Sequence, residues 1–125
     1  GDINIPKNYT TKSSKSLCSK IKSCLNQHKA EEISVINLEG KSNMADFMIL
    51  ANGLSNRHVS SLAEYLRKDL KKIGCQIFSI EGKETGNWIL LDLGDIIVHI
   101  FKPEVRIFYN LEKMWSSPTK NFSSS

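Results

Sequence analysis

The sequence predicts an α/β fold, a single domain in which helices pack on a five-stranded mixed β-sheet. Three observations support this prediction. Segments with apolar residues at helical spacing alternate with short apolar runs bounded by turn residues. A strand, a helix and a strand follow one another with short links over residues 46–80, which favours a right-handed parallel crossover. Two further apolar runs meet at Leu93-Gly94 and predict a β-hairpin.

Composition indicates an ordinary globular protein. At 125 residues the chain is long enough for one domain with a substantial core. No apolar run approaches the length of a membrane span, and the N-terminus lacks the apolar centre of a secretory signal, so we expect a cytoplasmic protein. Three cysteines (Cys18, Cys24 and Cys75) are too few for a disulfide framework and are expected to be reduced thiols.

The first half of the chain reads as a tail, a helix and two strands. Residues 1–14 are polar and predict a flexible tail. From Lys15 onward, apolar residues recur at helical spacing and predict an amphipathic helix. Ile33 to Leu38 alternates weakly, as a strand does, whereas Asp46 to Asn52 is a continuous apolar run typical of a buried central strand.

The second half adds a helix, three strands and a short terminal helix. Ser55 is a favourable N-cap, and the apolar stripe of its helix stops at Gly74, a residue suited to the C′ position. The third strand is predicted over residues 75–80, and the hairpin supplies two more. Residues 104–115 are expected to form one or two helical turns, followed by a flexible tail over residues 116–125. The predicted domain therefore spans residues 15–115.

The hairpin sorts its side chains into two faces. With Leu93-Gly94 as a two-residue loop, Trp88 is expected to face His99. Because successive side chains of a strand point to opposite sides, one face is purely aliphatic and should lie on the core. This aliphatic face consists of Ile89, Leu91, Ile96, Val98 and Ile100. The opposite side, here called the ring-bearing face, consists of Trp88, Leu90, Asp92, Asp95, Ile97, His99 and Phe101.

The ring-bearing face has two interpretations. It is either a second core, sealed by the C-terminal turn, or a docking surface for another molecule. Two long helices on one side of the sheet would leave the other side partly bare, and a bare apolar patch of this size marks an interaction site. This argument favours a protein-binding module in which the ring-bearing face is open to water.

Smaller clusters of polar residues carry weaker signals. Asp92 and Asp95 resemble a metal pair but are more typical of a solvated turn. The Ser55–His58 segment begins a helix, where an anion would be favoured, yet capping explains Ser55 equally well. The spacing of cysteines and histidines fits no zinc site, and no nucleophile motif is present, so neither a metal nor an enzymatic activity is expected.

The net charge of +4 is unevenly distributed along the chain. Residues 1–32 carry six lysines and three acids, whereas residues 33–110 carry nine basic and nine acidic residues. A neutral body with a basic N-terminal arm gives only weak support to nucleic-acid binding, for which a clustered basic face is expected.

Residues 15–115 resemble the ribosomal silencing factor family, the Iojap-like proteins of bacteria and organelles. The resemblance is collinear and lies mainly in the following segments: residues 44–47 (MADF), 53–59 (GLSNRHV), 81–82 (EG), 88–101 (WILLDLGDIIVHIF), 103–106 (PEVR) and 108–115 (FYNLEKMW). Three positions depart from the usual pattern, namely Asn52, Leu54 and Leu93. Leu93 stands at the hairpin turn, which borders the ring-bearing face, so its departure is expected to affect the strength of partner binding rather than the fold.

The resemblance implies a function and a set of contacts. Members bind the large ribosomal subunit through its fourteenth protein, block association with the small subunit and repress translation, and their fold is similar to that of nucleotidyltransferases. On the ring-bearing face we expect Trp88, Leu90, Ile97 and His99 to dock on that ribosomal protein, with Asp92, Asp95, Arg106 and Tyr109 as rim candidates. Because an exposed apolar sheet face favours self-pairing, a homodimer of the free protein is also expected. No cofactor, membrane or sequence-specific nucleic acid is expected as a partner. The alternatives are a nucleotidyltransferase-like enzyme and an RNA-binding module that uses the N-terminal lysines.

Overall fold

The computed structural model describes residues 11–83 and 85–109. Their elements in chain order are α1 (Thr11–Gln27), β1 (Glu31–Asn37), β2 (Phe47–Asn52), α2 (Asn56–Lys72), β3 (Ser79–Glu81), β4 (Trp88–Asp92), β5 (Ile96–Phe101) and α3 (Pro103–Tyr109). The strands form one sheet in the order β1-β2-β5-β4-β3. Only the central β2–β5 pair is parallel, and the other pairs are antiparallel. The predicted five-stranded mixed sheet is confirmed.

The main core lies between the sheet and the two long helices. α1 and α2 contact each other; α1 packs on β1 and β2, whereas α2 packs on the hairpin strands β4 and β5. The apolar stripe of α2 is buried there because its residues recur at helical spacing. All five residues of the predicted aliphatic face are fully buried. No helix in the described part of the chain combines the length and apolar character needed to cross a membrane.

Helix α2 has the ends that its sequence predicts. The Ser55 hydroxyl accepts a hydrogen bond from the His58 N–H at 3.0 Å, which caps the first turn. At the other end Gly74 has a φ of +77°, and the Cys75 N–H donates to the Leu70 carbonyl at 2.9 Å. The Gly74 N–H also donates to the Lys71 carbonyl at 3.1 Å. The two bonds form a Schellman motif, in which Gly74 is the left-handed residue that ends the helix.

The hairpin loop lies one residue later than predicted. The Leu93 N–H donates to the Ile96 carbonyl at 2.9 Å, so the loop is Gly94-Asp95 and Trp88 pairs with Phe101 rather than His99. This register places Gly94 at the first loop position, and its φ of +90° is one that glycine adopts at little cost. The pairing changes by two residues, and because side chains alternate with a period of two, both faces keep their predicted members.

Other boundaries also differ from the prediction. α1 begins at Thr11, so residues 11–14 belong to a helix rather than to a tail. β3 covers only Ser79–Glu81, because its partner β4 ends at Asp92 and offers no strand beside residues 75–77. β3 runs parallel to β2, as a crossover requires, but β5 and β4 lie between them. The predicted tails at residues 1–10 and 116–125, and helix beyond residue 109, lie outside the described residues.

Candidate functional site: the ring-bearing face

The ring-bearing face lies on the side of the sheet opposite α1 and α2. It supports a second, smaller apolar cluster that is separate from the main core. Buried and half-buried side chains from β1, β2, β4, β5, α3 and the β1–β2 connection meet in this cluster: Ile36, Leu38, Ala45, Met48, Leu50, Trp88, Ile97, Phe101 and Val105. Both sides of the sheet are therefore apolar, as the continuous apolar runs in β2 and β5 require.

Three rings form a contact network on this face. The Trp88 indole N–H donates a hydrogen bond to Nδ1 of His99 at 2.9 Å. The Trp88 ring centroid lies 5.7 Å from that of His99 and 5.8 Å from that of Phe101, within the range of favourable aromatic pairs. Burial lowers the pKa of His99 from 6.5 to about 4. His99 is therefore a neutral acceptor at physiological pH and fixes the orientation of the indole.

Burial changes across the ring-bearing face. Phe101 is fully buried and His99 is 6% exposed, whereas Trp88, Leu90 and Ile97 are half-buried. The expectation that the whole face is open to water is therefore wrong for the two buried rings. α3 explains part of this burial, because Val105 joins the cluster and the Arg106 guanidinium lies 5.8 Å from the Phe101 ring centroid.

Arg106 connects α3 to the edge of the sheet. Its guanidinium donates to Oδ1 of Asn52 at 2.9 Å, to the hydroxyl of Ser34 at 3.1 Å and to the Glu32 carbonyl. The side chain is only 8% exposed. Arg106 therefore fastens α3 to β1 and β2, and its suggested rim contact with a partner stays a prediction. Asn52 is its buried acceptor.

The remaining predicted site residues lie at the turn and in α3. The Asp92 carboxylate accepts the Gly94 N–H at 2.9 Å and so shapes the loop, as the turn interpretation predicts. The Asp95 carbonyl accepts the Asp46 N–H at 2.8 Å. Burial, together with the charges of Asp95 and Glu39, raises the pKa of Asp46. Tyr109 ends α3, but its side chain lies outside the described residues.

Among the residues that the structure describes, no group of three or more histidine, cysteine, aspartate or glutamate side chains is arranged to hold a metal ion.

Gly82 controls the backbone at Trp88, a role that sequence reasoning missed. Its φ is +88°, and a Cβ at this position would lie 2.1 Å from the Trp88 carbonyl oxygen. Only glycine permits this approach without moving β4. The Glu81-Gly82 dipeptide stands out in the sequence as part of the family resemblance, but close contact with Trp88 depends on the folded loop.

Comparisons with known proteins identify the family. The family model described as ribosomal silencing factor during starvation matches residues 11–124. The ribosomal silencing factor RsfS of Zymomonas mobilis is 44% identical over 109 residues, which cover 87% of this chain and 82% of that protein.

Two crystal structures share the fold. A Chromobacterium violaceum protein matches with a TM-score of 0.80 at 32% identity, covering 87% of this chain and 91% of that one. A Bacillus halodurans protein matches with a TM-score of 0.74 at 36% identity, covering 81% of this chain and 94% of that one. The sequence matches and the shared fold agree, and the chain belongs to the ribosomal silencing factor family.

Proposed function

We propose that this chain binds the large ribosomal subunit through its fourteenth protein and sterically blocks association with the small subunit, thereby repressing translation. Family membership supports the ribosomal role. The observation that carries the site assignment is the row of half-buried apolar side chains, Trp88, Leu90 and Ile97, on a sheet face that neither long helix covers. Aromatic anchors of this kind dominate the free energy of many interfaces.

The residues of the ring-bearing face then have different roles. Trp88, Leu90 and Ile97 contact the ribosomal protein directly. His99 acts mainly through Trp88, because its ring is buried and accepts the indole hydrogen bond. We assign Asp92, Asp95 and Tyr109 to the rim, and Arg106 supports that rim by holding α3 in place.

Charge complementarity favours a basic partner at the hairpin turn. Asp92, Asp95, Asp46 and Glu39 lie in or near the loops at this end of the sheet. Ribosomal proteins are commonly basic, and opposite charge accelerates encounter more than it raises affinity. Binding at this surface is therefore expected to weaken moderately as the salt concentration rises.

The proposed activity is regulatory and non-catalytic, and it takes place in the bacterial cytoplasm or in an organelle. When free, two copies are proposed to pair through the same apolar surface, since an interface covering it would remove Trp88, Leu90 and Ile97 from water. Sedimentation equilibrium of the free protein tests this pairing, which predicts a dimer that Leu90→Lys converts to a monomer.

The decisive test is co-sedimentation with purified large ribosomal subunits. Trp88→Ala is expected to weaken binding by about tenfold or more, as loss of a hot-spot aromatic does. Leu54→Ala is the control, because this large apolar residue is 63% exposed in the link between β2 and α2 and belongs neither to the ring-bearing face nor to a long helix. A folded Trp88→Ala variant that binds like the wild type would disprove the site assignment.

A second variant covers the case in which Trp88→Ala unfolds. Leu90→Lys leaves the Trp88–His99 hydrogen bond in place and puts a charge on the half-buried part of the face. It should bind weakly while its circular dichroism spectrum matches that of the wild type. Mixing large and small subunits with saturating protein then tests the mechanism, because steric blocking predicts a smaller yield of joined ribosomes with the wild type than with either variant.

A further inference from the structure

The two long helices form a basic layer on the side of the sheet opposite the ring-bearing face. α1 contains four lysines and no acidic residue, and α2 contains five basic and two acidic residues, so together they carry a charge of +7. The whole chain has a formal charge of +4, so all remaining residues together carry −3. The fold therefore separates charge into a basic helical layer and a mildly acidic remainder.

The described basic side chains of these helices are exposed to solvent, apart from Arg67, which is half-buried. The exposed ones among the described residues are Lys15, Lys20, Lys22, Arg57, Lys68, Lys71 and Lys72. The apolar stripes of both helices are buried against the sheet, which leaves the charged stripes outside. Glu64, one of the two acids of α2, is already paired with Arg67 and Lys83, each at 3.0 Å.

A groove runs between the two helices within this layer. It has a volume of about 440 Å³, and Lys20 and Lys72 line it from α1 and α2 respectively. Ser19, Ser23 and Gln27 add hydrogen-bonding groups. The acid in its lining, Asp69, accepts a hydrogen bond from the Cys24 thiol, whose pKa burial raises to about 12. The groove therefore has one lysine on each wall, with neutral hydrogen-bonding groups on the α1 wall and the Asp69 carboxylate on the α2 wall.

We propose that this helical layer, Thr11–Gln27 with Asn56–Lys72, binds the phosphate backbone of double-helical RNA. Cations spread over two helices suit a repeating polyanion, and backbone recognition needs no base-specific contacts. The choice of RNA rests on the proposed ribosomal function, since the ribosome presents helical RNA beside its proteins. The site itself is separate from the ring-bearing face, so one chain can contact a protein and an RNA at the same time.

Two other anionic partners fit the layer less well. A membrane-surface helix inserts an exposed apolar face, whereas here the apolar stripes of α1 and α2 are buried in the core. An acidic peptide helix would need apolar anchor sites, and α2 exposes one large apolar side chain, Tyr65, with Ile73 just beyond its end. Tighter binding to either partner than to RNA would contradict the proposal.

The test measures binding of the full chain to a fluorescein-labelled RNA hairpin over a range of salt concentrations. The double variant Lys20→Gln/Lys72→Gln removes one lysine from each side of the groove. Lys41→Gln/Lys102→Gln is the matched control, because it changes the net charge equally but lies outside the helical layer. Loss of two phosphate contacts should reduce the slope of log K against log salt by about 1.5 and weaken binding at 0.1 M salt by about tenfold or more.

Each outcome decides the proposal. It is supported if the wild type binds the hairpin with a salt-dependent Kd below about 100 µM and only the groove variant weakens binding. It is overturned if the wild type does not bind, if both double variants lose the same affinity, or if phosphatidylglycerol vesicles or polyglutamate bind more tightly than the hairpin. Because the assay contains no ribosomal protein, its failure leaves the ring-bearing face untouched, and a failed Trp88→Ala test leaves this site untouched.

Discussion

The two sides of the sheet are both apolar, but they are built differently. On the helical side, mainly aliphatic residues pack under α1 and α2, with Phe47 as the one ring in this cluster of the described residues, and the five hairpin residues there are fully buried. On the other side, rings and polar atoms are joined by directed bonds, and burial ranges from complete at Phe101 to partial at Trp88. The helical side therefore stabilises the fold through close packing of apolar side chains. On the ring-bearing face, the hydrogen bond from Trp88 to His99 also fixes the orientation of the indole, which suits a surface that presents particular groups to a partner.

The sharpest test of this comparison uses two adjacent leucines of β4. Leu91 is fully buried on the helical side, so Leu91→Ala should reduce the free energy of unfolding by about 4 kcal/mol through lost burial and a new cavity. Leu90 is half-buried on the ring-bearing face, and Leu90→Ala should cost about 1 kcal/mol. Urea unfolding measures both values. Equal losses would mean that the two faces are packed alike.

A second test removes the polar fastening of the ring-bearing side. Arg106→Ala should cost about 3 kcal/mol, because it leaves the buried Asn52 amide oxygen without this donor and frees α3 from β1. Ile107→Ala is the control on the same helix, since that side chain is 77% exposed and its loss should change stability by no more than about 0.5 kcal/mol. Similar urea midpoints for the two variants would contradict the fastening role.

The third test uses the buried histidine. The pKa of His99 in the folded chain is lowered from 6.5 to about 4, so the unfolded chain binds the proton more readily. The contribution of neutral His99 to the free energy of unfolding is therefore fully present above pH 6.5 and is lost as the pH falls toward 4. We expect this free energy to fall by about 2 kcal/mol between pH 7 and pH 5. Unfolding of the wild type and of His99→Gln at both pH values isolates this effect. Parallel pH profiles would show that His99 is not buried neutral.

Much of this architecture follows from local sequence. Ser55 and Gly74 define α2 because capping depends on a few neighbouring residues. The members of the two hairpin faces are predictable too, since alternation depends only on parity. The position of the loop is not predictable in this way, because Leu93-Gly94 and Gly94-Asp95 as loops give the same two faces. The pairing of Leu93 with Ile96 in the folded hairpin distinguishes them.

Features formed by distant segments were beyond local reasoning. Arg106 contacts residues more than fifty positions away, so no local pattern indicates that it is buried rather than at the rim. The basic helical layer was hidden for a related reason. Counting charge along the chain gave a neutral body over residues 33–110, whereas the fold brings the lysines of α1 beside those of α2.

The close approach of Gly82 to the Trp88 carbonyl has a consequence for genetics. A substitution at position 82 changes none of the side chains on the ring-bearing face, yet it must push β4 aside to make room for a single methyl group. If the proposed site is right, such a variant would lose partner binding through displacement of Trp88, so its phenotype alone would not show that the partner contacts residue 82.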